Sequence, residues 1–170
     1  KRQAEELAQY VEGLLATAKD AQSGPRPRTF HARGPTGLQT ALSGSIFAES
    51  LTLAGAENAA PTGATDSIVT LSFEAIAKSA PAVVVTQSKE FAEYAAADPA
   101  WRTLHARLLL APGAPFGWID SPPSINRVLG VVWLTDKLYP GKIKLDMAAT
   151  VKEFYARIYH VQIDPARLLR

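Results

Sequence analysis

Two aromatic rings two residues apart, Phe116 and Trp118, stand in the run Pro115-Phe116-Gly117-Trp118-Ile119-Asp120. By type they suit contact with a flat ligand, because rings stack on chelates and macrocycles. A guanidinium such as that of Arg33 neutralises an anion or a carboxylate, and the amide of Gln87 adds a polar contact. The competing reading is that the rings close the end of the core and that Arg33 is a solvated strand end. Other chemistries find no support. The 3 histidines, His31, His105 and His160, have no HxxxH or HExxH spacing, so no zinc site is expected. There is no GxSxG and no carboxylate pair assignable as acid and base, so no catalytic residue is nominated and an enzyme is not expected. Gly34-Pro35-Thr36-Gly37 lacks the Gly-Lys-Ser/Thr ending of a phosphate loop. Cysteine is absent, which excludes disulfides and thiolate chemistry.

The totals suit one ordinary domain: 170 residues, 47% hydrophobic and 20% charged. A net charge of +2 without a Lys/Arg run argues against a nucleic-acid partner. No apolar run is long enough to span a bilayer. The chain opens on Lys1-Arg2 already inside a helical pattern, so it is expected to be a piece of a longer protein.

These residues need elements to position them. Ala4, Leu7, Ala8, Val11, Leu14, Leu15 and Ala18 recur at helical spacing and predict a buried stripe on a helix over 2–20. A strand over 29–32 delivers Arg33 to its exit. A helix over 46–54 follows, with Phe47, Ala48, Leu51 and Ala54 inward, Glu49 in its first turn and Gly55 at its end. A polar linker over 61–67, a short strand over 68–71 and a helix over 73–79 capped by Ser72 come next. The apolar run 81–86 suits a strand covered on both faces, with Gln87 at its carboxyl end. A helix over 89–96 and a short one from Asp98-Pro99 lead to a strand over 107–111, which feeds the Phe116–Trp118 loop. Ser121 as N-cap and Pro122 as first residue predict a helix to about 139, burying Ile125, Val128, Leu129 and Val132. A last helix starts near Asp146. Strands alternating with helices predict an α/β three-layer sandwich with a mostly parallel central sheet. In such a sheet Arg33, Gln87, Phe116 and Trp118 are expected on one outward-facing rim, past the carboxyl ends of the strands.

The run Phe-Gly-Trp-Ile-Asp-Ser-Pro-Pro-Ser-Ile-Asn-Arg at 116–127, followed by Leu-Gly-Val-Val-Trp-Leu, resembles the C-terminal lobe of periplasmic substrate-binding proteins of iron-siderophore, haem and cobalamin ABC importers. Arg33-Gly34-Pro35-Thr36-Gly37-Leu38, the Glu-x-x-x-x-Ala-Gly-x-x-Asn stretch from Glu49 and Asp98-Pro99-Ala100-Trp101 are similar to further family segments. The resemblance covers nearly the whole chain but about half of a two-lobed member. It implies that residues 1–22 are part of the interlobe helix and 23–170 the C-terminal lobe. It implies a metal-chelate solute of the iron-siderophore, haem or cobalamin class, held by Arg33, Gln87, Phe116 and Trp118. No resident cofactor is expected, and no metal bound by protein ligands alone. The resemblance implies delivery to an ABC permease, with Glu49 and then Glu57 as docking carboxylates, and a periplasmic or lipid-anchored extracytoplasmic location. Two other readings stay open: a small α/β enzyme or nucleotide-binding domain, and an interaction module in which the Trp118 loop is packed under its neighbours.

Overall fold

The computed structural model describes residues 2–42, 44–46, 48–61, 68–120 and 122–169. Expectations placed on Phe47, on Ser121 as a cap and on most of the 61–67 linker lie outside them. Four parallel strands form the central sheet: β1 (Arg28–His31), β3 (Glu57–Asn58), β5 (Val83–Thr86) and β6 (Arg107–Leu110), in the order β3-β1-β5-β6. Phe30 aligns with Val84, and Val84 with Leu108. A separate antiparallel pair joins β2 (Gln39–Ala41) to β4 (Ile68–Thr70).

Alternate side chains of each strand feed two apolar layers. Val83 and Val85 pack with α1 (Arg2–Ala21), α2 (Glu49–Leu53), α6 (Asn126–Leu138) and α7 (Met147–Tyr159). Phe30 and Val84 face the opposite way, toward α3 (Phe73–Lys78), α4 (Lys89–Ala97) and α5 (Pro99–Thr103). There Trp101 meets the edges of Phe73 and Phe91 at centroid distances of 5.4 and 4.8 Å. The chain is the expected three-layer α/β fold. Helix starts are sharp where a side chain caps them: Ser72, Ser88, Asp98 and Asp146 each accept a backbone N–H of the first turn.

Three local expectations need correction. The helix expected from Pro122 begins at Asn126, because Pro123 drives Pro122 out of the helical region. Ile125, expected inside, is 41% exposed as a consequence. In α1 only Leu14, Ala18 and Ala21 are buried, although the apolar stripe starts at Ala4; no described element covers its first two turns. The strand β2 went unread because its three residues sit in a Gly- and Thr-rich turn context.

Candidate functional site

The four parallel strands all end on one edge, and the chain leaves each through a loop. After β1 come Ala32, Arg33 and Gly34. Arg33 N–H donates to the Gln39 carbonyl at 2.8 Å and Gln39 N–H to the Arg33 carbonyl at 3.4 Å, closing the 34–38 turn. Gly37 is required in that turn: its φ is +71°, and a Cβ there would overlap the Phe91 ring. Arg33 therefore stands on a braced stem.

After β5, Gln87 Oε1 accepts two backbone N–H groups of the loop that follows β6, those of Ile119 and Asp120, each at 2.7 Å. Ser88 N–H donates to Thr86 Oγ1 at 3.0 Å, and Ser88 Oγ caps α4. Gln87 is thus a clamp between two loops as well as a surface of the site.

The loop after β6 is nailed down along its length. Trp118 is fully buried, and its indole N–H donates to the Tyr155 hydroxyl at 3.4 Å. That hydroxyl donates to the Ala114 carbonyl. Asn126 Nδ2 donates to the Phe116 carbonyl at 3.1 Å, while Asn126 Oδ1 accepts from the Tyr159 hydroxyl at 2.8 Å. Ser50 Oγ donates to the Ile119 carbonyl and accepts from Arg127 Nε. Gly130, in mid-helix, lets α6 come against this loop; a Cβ there would collide with the Trp118 carbonyl.

Together these loops shape a cavity of about 320 Å³ lined by His31, Arg33, Gln39, Gln87, Ser88 and Asp120, together with Ala32 and Gly34. Arg33 Nε pairs with Asp120 Oδ2, and their side chains are only 16% and 4% exposed. Burial pushes the Asp120 carboxyl above its ordinary range, while the charge and hydrogen bond of Arg33 and the charge of Arg127 pull it part of the way back. His31 Nε2 lies 4.0 Å from Asp120 Oδ2. Burial, aided by Arg33, lowers its pKa to about 3, so the imidazole is neutral at physiological pH.

Of the residues expected on one rim, Arg33 and Gln87 come together here. Trp118 does not: it is core, because Tyr155 satisfies its one polar atom and α6 covers its backbone. Phe116 is 43% exposed but does not line this cavity. Glu49 is half-exposed and pairs with Arg127 at 3.1 Å; Glu57, similarly exposed, pairs with Arg28. Sequence reasoning missed Asp120, His31, Asn126 and Arg127. A carboxylate between Ile119 and the proline pair, and a polar Asn-Arg at the foot of an apolar helix, were the available signals.

No family model and no curated protein matches the chain. Solved structures do. An ABC transporter solute binding protein from Sulfurospirillum deleyianum superposes with a TM-score of 0.86 and 28% identity, over 99% of this chain and 55% of that one. The molybdate periplasmic binding protein of Haemophilus influenzae, bound to molybdate, gives 0.76 and 25%, over 96% and 52%. The periplasmic vitamin B12 binding protein of Vibrio cholerae gives 0.58 and 16%, over 79% and 51%, a likeness of fold. This chain has the fold of one lobe of ABC-transporter solute-binding proteins. The lobe spans about half the length of the structures it matches. Several of the structures it resembles are named as periplasmic binding proteins, and no described helix of the lobe is long and apolar enough to cross a membrane.

Proposed function

We propose that this lobe holds the solute of an ABC importer at the cavity around Arg33 and Gln87, and that the full protein hands it to a membrane permease from the extracytoplasmic side. The observation that carries the reading is a cavity at the carboxyl ends of parallel strands with an arginine set in its wall, in a chain similar over almost its whole length to solute-binding proteins. The lining favours an anionic solute: an oxyanion such as molybdate, or an anionic metal chelate such as a ferric siderophore. Haem and cobalamin rank lower, because Trp118 is inside the core and, among the described residues of this loop, Phe116 is the ring left exposed. Helix α1 serves as the second part of the interlobe spine, in keeping with the uncovered apolar face of its first two turns.

Glu49 and Glu57 are the proposed docking carboxylates. Each already holds an arginine of its own chain, so a permease arginine would be exchanged for Arg127 or Arg28 at little cost on an exposed surface. The buried Trp118 loop favours one rival, an interaction module without a solute. Calorimetric titration of the full-length protein with molybdate, ferric siderophores, haem and cobalamin separates the two. Binding of an anionic member supports the solute reading, and heat from none of them contradicts it.

A further inference from the structure

Asp120 is unlike the rest of the cavity wall. Its carboxylate is 4% exposed, Oδ2 is held by Arg33 Nε, and Oδ1 has no hydrogen-bond partner among the described residues. Its backbone N–H is fixed on Gln87 Oε1 at 2.7 Å, in the same clamp that holds Ile119, so the backbone that carries the carboxylate is tied to two loops. The charged and titratable groups facing it are Arg33 beyond β1, His31 on β1, and Arg127 on α6. His31 is neutral there, and its Nδ1 has no hydrogen-bond partner among the described residues.

An anion arriving at Arg33 thus meets a second anion already fixed on the same guanidinium. Like charges sharing one site cannot both stay ionised at low cost; one of them takes a proton. We propose that Asp120 is the specificity-determining residue of this cavity, a fixed counter-anion that makes the lobe accept a negatively charged solute only together with a proton. The inference rests on the reading that this cavity faces the solute. The proton comes from solvent and resides on the Asp120 carboxyl, which removes the negative charge that competes with the solute for Arg33. A neutral solute gains nothing from the step, so the pair also sorts solutes by charge.

The test is calorimetric titration of the full-length protein with molybdate, an anionic ferric siderophore and neutral cyanocobalamin, in paired buffers of different ionisation enthalpy, between about pH 6 and 8. An anionic probe should take up close to one proton and bind up to about tenfold more weakly per unit rise in pH. Asp120→Asn, which keeps the shape and an acceptor for Arg33, should bind that probe about tenfold or more tighter at the upper end of the range, with no pH dependence. Anion binding without proton uptake overturns the proposal while leaving the solute reading intact, as does an Asn variant that binds no tighter. Binding of cyanocobalamin alone also overturns it. If no probe binds, the solute reading itself falls and the proposal with it. Proton uptake is read on the unaltered protein, so the test survives a variant that fails to fold.

Discussion

The loops after β1 and β6 leave the same edge of the sheet and have opposite characters. The β6 loop turns its largest side chain, Trp118, into the core and spends its polar groups on Tyr155, Asn126 and Ser50. The β1 loop brings a charged side chain, Arg33, to the edge and braces it with a backbone bridge to Gln39. In the proposed reading the β6 loop lends structure and one carboxylate, Asp120, while the β1 loop carries the arginine that pairs with it. Residue type alone left this open, since two rings on a loop suit either a ligand platform or the end of a core. The difference lies in what each side chain needs: the indole has one polar atom, and a single hydroxyl satisfies it inside, whereas a guanidinium with five donors is retained near the surface beside a carboxylate.

Substitutions on the two loops should separate these roles. The largest effect on stability belongs to Trp118→Ala, which empties a fully buried site and should cost about 3–5 kcal/mol in chemical denaturation. Phe116→Ala on the same loop should cost about 0.5 kcal/mol or less. Gln87→Leu removes the acceptor of two backbone N–H groups and should cost about 1–3 kcal/mol, and protease sensitivity of the 112–120 loop should rise with it. The pH dependence comes next. His31 has its pKa depressed from 6.5 to about 3 in the fold, so the unfolded chain binds more protons between those values. Stability should therefore fall on acidification, by as much as about 1.4 kcal/mol per pH unit across that window. Asp120 acts with the opposite sign, because burial raises its carboxyl and the folded state then holds the extra proton. Thermal melts of His31→Gln across this range should lose most of the acid slope; an unchanged slope would assign it elsewhere. The smallest effect on the fold is expected for Glu49→Ala, within about 0.5 kcal/mol because the pair is half-exposed. That variant should lower transport in cells with solute affinity unchanged, and a drop in affinity would contradict the docking role.

Much of the fold could be read directly. The apolar run at 81–86 announced a strand covered on both faces, and β5 is buried throughout. Ser72 as a cap, and the helix starts read at 89, at Asp98-Pro99 and near Asp146, placed α3, α4, α5 and α7 within a residue or two. Arg33 and Gln87 were legible because strand exits in a parallel sheet converge. The fate of Trp118 was not, because it depends on Gly130 and Tyr155, which lie 12 and 37 residues further on and meet it only in three dimensions. Asp120 was hidden for the same reason: its partner lies on another loop, and nothing local distinguishes a buried carboxylate from a turn residue. The late start of α6 had a local cause, the paired prolines, and could have been foreseen.

The central claim is that the polar rim around Arg33, and not the aromatic loop, holds the solute. Titrating the full-length protein with whichever anionic probe it binds, alongside Arg33→Gln and Phe116→Ala, tests this directly. Affinity should fall by roughly a hundredfold for Arg33→Gln and by less than about threefold for Phe116→Ala. A large loss for Phe116→Ala with Arg33→Gln unaffected would contradict it.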